Sequence, residues 1–146
     1  ISTCSSGSFK DLVTTPGAMP PNTASIDAGD YRLTGDPERL SEVALEKYVE
    51  AISSVLDHSG RSPAQITRFL PHQTSFAMID AVCQRVGISS EVTWREGVPR
   101  YANIGSAGWM VALSESIDGH PPTRGDVILI AAVGGGLSWG GALWIW

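Results

Sequence analysis

Apolar residues recur at helical spacing in two well-marked segments of this chain. The first segment begins at Asp36-Pro37, where an aspartate can cap free N–H groups and a proline suits the first helical position, and it ends at Gly60. The second begins at Ser75 and ends at Gly87. We therefore expect two amphipathic helices, and the apolar positions that define the first are Leu40, Ala44, Tyr48, Ile52 and Val55.

Short apolar runs predict three strands. Ile66–Leu70 lies between the two helices, Val127–Val133 is rich in β-branched residues, and Leu137–Ile145 follows three glycines. Because a short glycine turn joins the last two strands, they must pair antiparallel. A further helix is expected over Gly105–Ile117. The order of these elements predicts an α/β fold with a mixed sheet.

The first 35 residues differ from the rest of the chain in composition. Residues 1–35 are rich in Ser, Thr, Pro and Gly, which predicts a short strand followed by a long loop. Residues 36–146 contain the strong helix and strand patterns and form the main domain. Because the chain opens on Ile1-Ser2-Thr3 rather than on a methionine, we expect it to be part of a longer protein.

Charge and cysteine content exclude several classes of function. The net charge is −5 and lysines and arginines form no run, which argues against a nucleic-acid or membrane partner. The longest strongly apolar stretch, Val127–Val133, is too short to cross a bilayer. Cys4 and Cys83 lie too far apart to indicate a disulfide scaffold or a zinc motif. We therefore expect a cytoplasmic protein without a metal site, in which Cys83 is a core residue.

Two polar side chains stand at the points where helical patterns begin. His72 follows the apolar run Phe69–Pro71, and Asn103 lies in a turn of small residues. Such junctions present catalytic groups in α/β proteins. A neutral imidazole and a carboxamide can both donate to one developing oxyanion, so the pair predicts chemistry on a carbonyl group. His58 and His120 lie near a helix end and in a loop, and we expect both on the surface.

Two glycine-containing motifs resemble a dinucleotide-binding loop and a serine-nucleophile turn, but the context of each motif disfavours that function. Gly134–Gly136 follows a strand, but a tryptophan-rich strand comes next, whereas a dinucleotide site needs a helix there. A hairpin turn, or an exposed glycine amide that binds an oxyanion, fits this context, and the two are compatible. Gly105–Gly108 contains a serine but lacks the spacing of a nucleophile elbow.

Three motifs together resemble a known family. Pro71-His72-Gln73, Tyr101-Ala102-Asn103 and Gly134–Gly140 occur in the order of the C-terminal signature of the 3-oxoacyl-ACP synthase III family, which belongs to the thiolase-like superfamily. The match extends back to Gly7-Ser8-Phe9. The resemblance implies the C-terminal half of a thiolase-like fold, a mixed sheet flanked by helices. It also implies an N-terminal half as partner and a homodimer of complete units.

The resemblance implies a role for five residues of this chain. His72 and Asn103 would bind the thioester carbonyl of a malonyl-type substrate and stabilise the enolate formed on decarboxylation. The amide of Gly135 would contribute to an oxyanion hole, and Ser75 and Gly136 would contact substrate. No cofactor is implied, because acyl-CoA or acyl-carrier-protein thioesters are themselves the substrates.

The nucleophile of the family is a cysteine at the start of a buried helix, where the dipole lowers its pKa. Cys4 is not expected to be this nucleophile, because no helical pattern follows it and the match places it on the last strand of the N-terminal half. The chain alone is therefore predicted to be inactive. Ser75, Ala77, Ala102 and Ile104 replace the Asn, Arg, Gly and Thr that are usual at these positions, which leaves the contacts to the donor and the carrier protein open.

Two alternatives to decarboxylative condensation remain. One is transfer of an acyl group to an alcohol or amine, with His72 as general base. The other is a non-catalytic half that only supports a partner chain. The presence of both His72 and Asn103 argues against the second alternative, because a scaffold needs neither.

Overall fold

The computed structural model describes residues 1–17 and 20–146. Within these ranges the strands are β1 (Ser2–Ser5), β2 (Val13–Thr14), β3 (Thr34–Gly35), β4 (Arg68–Pro71), β5 (Val127–Gly134) and β6 (Ser138–Ile145). The α-helices are α1 (Thr23–Asp27), α2 (Pro37–Ser59), α3 (Phe76–Val86), α4 (Gly97–Tyr101) and α5 (Gly108–Gly119).

A four-stranded mixed sheet with strand order β1-β6-β5-β4 forms the centre of the molecule. β5 and β6 pair antiparallel through the glycine turn, as predicted, and β1 pairs antiparallel with the other edge of β6. β4 runs parallel to β5, with Arg68 opposite Ile128 and Pro71 opposite Ala131. The mixed sheet inferred from the sequence is therefore confirmed, and β4 and β5 end at the same edge of it.

The two helices predicted from apolar spacing have the predicted ends. Asp36 accepts a hydrogen bond from the Arg39 amide at the start of α2, and Gly60 ends this helix with a φ of +64°. Ser75 caps α3 and Gly87 ends it with a φ of +81°. A left-handed C-terminal residue favours glycine because a Cβ is disfavoured in that conformation.

Helices cover both faces of the sheet. α2 lies so close to β6 that a Cβ on Gly141 would stand 3.0 Å from Val55 Cγ2 and 3.2 Å from the Ala51 carbonyl oxygen. On the opposite face, α5 contributes Ala112 to a small buried cluster with Leu70 and Ile128. α2 is also the longest helix, and none of the helices in the described ranges is long and apolar enough to span a bilayer.

Residues 1–35 are more ordered than the sequence indicated. The expected long loop contains α1 and the short β2–β3 pair, in which Val13 lies opposite Gly35. The sequence pattern did not predict these elements, because segments of two and five residues are too short to show periodicity. Cys4 lies on β1, as the expected first strand required, and stands opposite Trp139 of β6.

Two other boundaries differ from the expected ones. β4 covers Arg68–Pro71 rather than Ile66–Leu70, and its proline has no amide hydrogen to donate. The expected helix over Gly105–Ile117 is α5, preceded by a single 3₁₀ turn at Gly105–Ala107. α4 was not expected, because its five residues include a glycine and a proline and are too few to show helical periodicity.

An ionic contact anchors the start of β6 on α2. The Trp139 indole N–H donates to the Glu50 carboxylate at 3.0 Å, and the Lys47 ammonium donates to the same carboxylate at 2.7 Å. Lys47 also lies 4.7 Å from the centre of the Trp139 ring. The bond from Lys47 is the main reason why the pKa of Glu50 is lower than its usual value of 4.5, and the Trp139 indole acts in the same direction.

Acidification is therefore expected to weaken this anchor. Because the folded-state pKa of Glu50 is depressed, its stabilising contribution is complete above the unfolded value of 4.5 and is lost as the pH falls through the lower folded value. Urea unfolding at a series of pH values tests this, with Glu50→Gln as the non-titrating control. We expect a smaller loss of stability on acidification in Glu50→Gln, and equal losses in both proteins would contradict the assignment.

Candidate active site

The candidate residues meet at the edge of the sheet where the parallel strands end. His72 directly follows β4, and Gly135 directly follows β5. Because β4 and β5 are parallel neighbours, these two positions lie at the same edge of the sheet. Asn103 reaches the same place from the loop before α5, and its side chain is bonded to His72. The structure therefore brings together the residues that the sequence singled out at positions 72 and 103.

His72 is held from three sides. Its backbone amide donates to the Ala131 carbonyl at 2.8 Å, and its ring Nδ1 donates to the Val133 carbonyl at 2.8 Å. The Tyr48 hydroxyl, on α2, donates to the same Ala131 carbonyl at 2.9 Å. The residue is 9% exposed, so one ring edge remains accessible. The bond to the Ala131 carbonyl thus fixes the backbone of His72, and the bond to the Val133 carbonyl fixes its ring.

The bond to Val133 decides what each ring nitrogen can do. A carbonyl oxygen only accepts, so Nδ1 carries a proton, and Nε2 of the neutral ring carries the lone pair. Neutral His72 is therefore a base at Nε2 and not a donor there, which corrects the expectation of a neutral donor. When Nε2 is also protonated, it donates to Asn103 Oδ1, 3.1 Å away, or to a substrate oxygen.

Asn103 has a fixed amide orientation. Its Oδ1 accepts a hydrogen bond from the Gly105 amide at 3.0 Å as well as facing His72 Nε2. The amide nitrogen is consequently the free end, and it donates to none of the described residues. Asn103 is exposed. A donor in this position can bind a carbonyl oxygen of a substrate.

Backbone strain immediately precedes Asn103. Ala102 has φ +55° and ψ −150°, the only positive φ of a non-glycine residue in the described ranges. This region is almost restricted to glycine and costs about 1–3 kcal/mol for other residues. The loop that presents Asn103 therefore requires a backbone conformation that is strained for Ala102.

Glycine at this position is expected to stabilise the protein. Ala102→Gly removes the Cβ clash but adds chain entropy to the unfolded state, so we expect a net gain of about 1 kcal/mol in the free energy of unfolding. Ala107→Gly is the matched control, since Ala107 has an ordinary helical φ of −73° and the change there is expected to destabilise by about 0.5–1 kcal/mol. Thermal denaturation of both variants measures the difference, and a loss of stability in Ala102→Gly would contradict the prediction.

The segment from Trp94 to Tyr101 links α3 to α5 beside the site. Arg95 pairs with Asp80 on α3 at 2.7 Å and lies 5.0 Å from the centre of the Phe76 ring. At the other end, the Tyr101 hydroxyl donates to Glu115 on α5 at 2.6 Å, a bond that raises the pKa of Tyr101. The segment that leads into Asn103 is therefore tied to both neighbouring helices.

The remaining predicted site residues have the following positions. Gly135 is exposed in the β5–β6 turn, and its amide donates no hydrogen bond within the described ranges. Gly136 follows it with φ +127°, a conformation that requires glycine. The Ser75 hydroxyl accepts from the Met78 amide at 3.2 Å and caps α3. Ala77 is exposed one position beyond Phe76.

Tyr48, Gln73 and Val133 contribute bonds that position the site residues, and the sequence did not indicate this. Tyr48 was assigned only to the apolar face of α2, although it is fully buried and its pKa is raised by that burial. Gln73, directly after His72, is 1% exposed and donates to two backbone carbonyls. A glutamine next to His72 was visible in the motif, but the sequence did not show that it is buried or that it bonds to Trp94. The carbonyl of Val133 carried no sequence signal at all.

The site has the groups needed for oxyanion stabilisation and proton transfer, but within the described ranges it has no nucleophile. Cys4 is exposed on β1 and Cys83 is buried against Thr93. No group of three or more potential metal ligands occurs among the described residues. The arrangement can therefore accept a proton at His72 and bind a carbonyl oxygen at Asn103.

Comparison with known proteins places these features in a family. Residues 56–146 match the model described as 3-oxoacyl-[acyl-carrier-protein (ACP)] synthase III C terminal. The chain is 29% identical over 145 residues to a beta-ketoacyl-[acyl-carrier-protein] synthase III of Desulfotalea psychrophila, covering 97% of this chain and 44% of that protein. It is 32% identical over 117 residues to the Aquifex aeolicus synthase of the same name, covering 80% of this chain and 37% of that protein.

Solved structures agree with the sequence comparison. The crystal structure of 3-oxoacyl-[acyl-carrier-protein] synthase III from Aquifex aeolicus superposes with a TM-score of 0.84 at 26% identity, and the match covers 99% of this chain and 43% of that one. The chain thus spans less than half the length of the relatives it matches.

Proposed function

Because this chain belongs to the 3-oxoacyl-[acyl-carrier-protein] synthase III family, we propose that it forms half of an enzyme that joins an acyl thioester to a malonyl-type thioester with loss of CO2. The approach of His72 Nε2 to within 3.1 Å of Asn103 Oδ1, at the common end of β4 and β5, is the observation that carries this proposal. A second half supplies the cysteine. We call the two halves together the complete enzyme.

The first half-reaction loads the acyl group onto that cysteine. His72 Nε2 accepts the thiol proton, the thiolate attacks the acyl-CoA carbonyl, and the CoA thiolate leaves with the proton that His72 returns. The fixed Nδ1–H bond to Val133 supports this role, because it leaves the lone pair of the neutral ring at Nε2. The products are acyl-cysteine and free CoA, so atoms and charge balance.

The second half-reaction uses both polar side chains. Asn103 and protonated His72 donate to the thioester carbonyl of the malonyl group, whose carboxylate leaves as CO2. The resulting enolate carbon attacks the acyl-cysteine, and the Gly135 amide stabilises the tetrahedral oxyanion. His72 takes up one proton from solvent between the half-reactions and passes it to the released cysteine thiolate, so the ring is neutral again for the next cycle. The unbonded amide of Gly135 and the free Asn103 amide nitrogen support these assignments.

Exposure of the site supports the requirement for a second half. Asn103 and Gly135 are exposed, and large apolar side chains beside them are also accessible: Tyr101 is 38%, Ile104 39% and Met110 52% exposed. Stabilisation of an oxyanion is effective only where water is excluded. We propose that the cysteine-bearing half covers this surface. We also propose that complete units pair as a homodimer and that the enzyme is cytoplasmic. Light scattering of the purified enzyme tests whether it is a homodimer.

The nature of the thioester carriers is proposed by class only. The relatives named above are beta-ketoacyl-[acyl-carrier-protein] synthases III, and we propose that an acyl carrier protein or CoA delivers each substrate. Ala77, in the exposed first turn of α3, carries no charge. A cation is nevertheless present next to it, because Arg95 lies against the ring of Phe76, the residue before Ala77. Steady-state rates with the two forms of malonyl thioester distinguish the carriers.

One experiment separates condensation from its alternatives. The complete enzyme is incubated with acyl-CoA and carboxyl-labelled malonyl thioester, and intact-protein mass spectrometry is combined with measurement of labelled CO2. We expect an acyl adduct on a cysteine outside this chain and CO2 release equal to the 3-oxoacyl product. An adduct without CO2 release favours acyl transfer to an alcohol or amine. No adduct on any cysteine contradicts both enzymatic functions and leaves the non-catalytic half.

A further inference from the structure

The side chain of Gln73 connects the two elements that carry the site residues. Its amide nitrogen donates to the Pro71 carbonyl at 2.8 Å, at the end of β4, and to the Trp94 carbonyl at 3.1 Å. Both partners are acceptors, so the orientation of the amide is fixed with its nitrogen toward them. Gln73 is therefore a bridge between the strand that ends at His72 and the segment that leads to Asn103.

The same side chain also packs against the chain on both sides of Asn103. A Cβ on Gly97, in α4, would lie 3.0 Å from Gln73 Cγ and 2.8 Å from the Trp94 ring. A Cβ on Gly108, at the start of α5, would lie 3.8 Å from Gln73 Cβ and equally far from His72 Cδ2. Gln73 thus fills the space between His72 and the two segments that hold the Asn103 loop.

The two hydrogen bonds of the Gln73 amide nitrogen determine the orientation of the side chain, although this orientation leaves the amide oxygen unpaired. Gln73 Oε1 is buried and has no hydrogen-bond partner among the described residues. Burying an unpaired acceptor is unfavourable. The amide nevertheless keeps its nitrogen on the Pro71 and Trp94 carbonyls, because the opposite orientation would leave both carbonyls facing an oxygen. Within the described ranges the backbone joins the same segments at one other point, where the Trp94 amide donates to the Phe69 carbonyl at 2.8 Å. A side chain of equal size without donors would pack here but would remove the second connection, which lies next to His72.

We infer that Gln73 is a positioning residue that sets the distance between His72 and Asn103, and that it acts in the decarboxylation step. This inference rests on the proposed function. His72 itself is fixed by Val133 and Ala131, so its role as base to the cysteine does not depend on Gln73. Gln73 instead controls where Asn103 stands relative to the imidazole. Only the half-reaction that needs both donors should respond to its loss.

Two substitutions in the complete enzyme test the inference. Gln73→Met keeps the length of the side chain and removes both donors. Gln73→Glu has one donor when protonated and repels both carbonyls when ionised. Gln84→Met is the matched control, because Gln84 is exposed on α3. For each variant, acyl-cysteine formation and malonyl decarboxylation are measured separately from about pH 6 to about pH 9, together with the thermal midpoint.

For Gln73→Met we expect decarboxylation to fall by about 10- to 100-fold and acylation to change by less than about threefold, whereas Gln84→Met alters neither. For Gln73→Glu, decarboxylation relative to the unsubstituted enzyme should decrease as the pH rises, because the buried carboxyl loses its proton. Equal losses in both half-reactions, a wild-type rate in a folded Gln73→Met, or a pH-independent ratio for Gln73→Glu would each overturn the inference.

Nuclear Overhauser contacts between the His72 ring and the Asn103 side-chain amide provide a readout that does not depend on the proposed function. If the unsubstituted enzyme releases no CO2, the proposed function fails, and these contacts alone test Gln73. We expect them in the unsubstituted enzyme and in Gln84→Met but not in Gln73→Met. Their persistence in Gln73→Met would show that the side chain does not position Asn103.

Discussion

Replacing His72 with alanine in the complete enzyme is expected to slow both half-reactions, each by about 10³-fold. In the proposed mechanism the ring accepts the cysteine proton, and in its protonated form it is one of the two donors to the malonyl carbonyl. Asn103→Ala removes the second donor and is expected to slow decarboxylation by about 10²-fold while leaving acylation nearly unchanged. Separate assays of acyl-cysteine formation and CO2 release measure these effects.

The matched control for His72→Ala is His120→Ala, because His120 is exposed near the end of α5. It is expected to react at the unsubstituted rate, and circular dichroism establishes that all three proteins are folded. If Asn103→Ala releases CO2 as fast as the unsubstituted enzyme, the carbonyl-binding role of Asn103 is wrong. If His72→Ala alone is impaired and no variant releases CO2, acyl transfer to another acceptor replaces condensation as the function.

The largest expected effect on stability comes from Tyr48→Ala, which should lower the free energy of unfolding by about 4 kcal/mol. Tyr48 is completely buried in the main core between α2 and the sheet, where it contacts no solvent. Alanine would leave a cavity and would also remove the donor to the Ala131 carbonyl. Chemical denaturation followed by circular dichroism measures the loss.

Tyr48→Phe separates the hydroxyl from the ring. Phenylalanine keeps the packing, and Ala131 still accepts a hydrogen bond from the His72 amide, so the expected loss is only about 1 kcal/mol. Tyr101→Phe is a surface control, since the Tyr101 hydroxyl is exposed and donates to Glu115. A loss in Tyr48→Phe as large as that in Tyr48→Ala would contradict the cavity argument and would assign the effect to the hydroxyl.

Local sequence was sufficient for the elements whose ends depend on neighbouring residues. Asp36 and Gly60 bound α2, and Ser75 and Gly87 bound α3, because a cap bonds to groups within four residues of itself. The glycines after β5 likewise required an antiparallel hairpin. Elements of two to five residues, such as α1 and β2, escaped prediction because they contain too few positions for a periodic pattern.

The ordering of motifs was also sufficient for the family, but not for the strand that pairs with β1. The chemistry-bearing positions 72, 103 and 135 were visible because they stand at strand ends and turns. In contrast, the pairing of Cys4 opposite Trp139 joins residues more than a hundred positions apart. No local preference decides which sheet edge a four-residue strand joins, since any strand can satisfy the exposed hydrogen-bonding groups of β6.

The sequence by itself therefore determined the type of fold and the family, and it singled out His72 and Asn103 as the candidate site residues. Tertiary structure alone decided how these residues act. The carbonyl of Val133 sets the tautomer of His72, the Gly105 amide orients Asn103, and Gln73 joins their supports. The first and last of these bonds involve backbone carbonyls, which every residue possesses. A residue's ability to act as base or donor depends on where such groups lie in space, and sequence pattern does not record that.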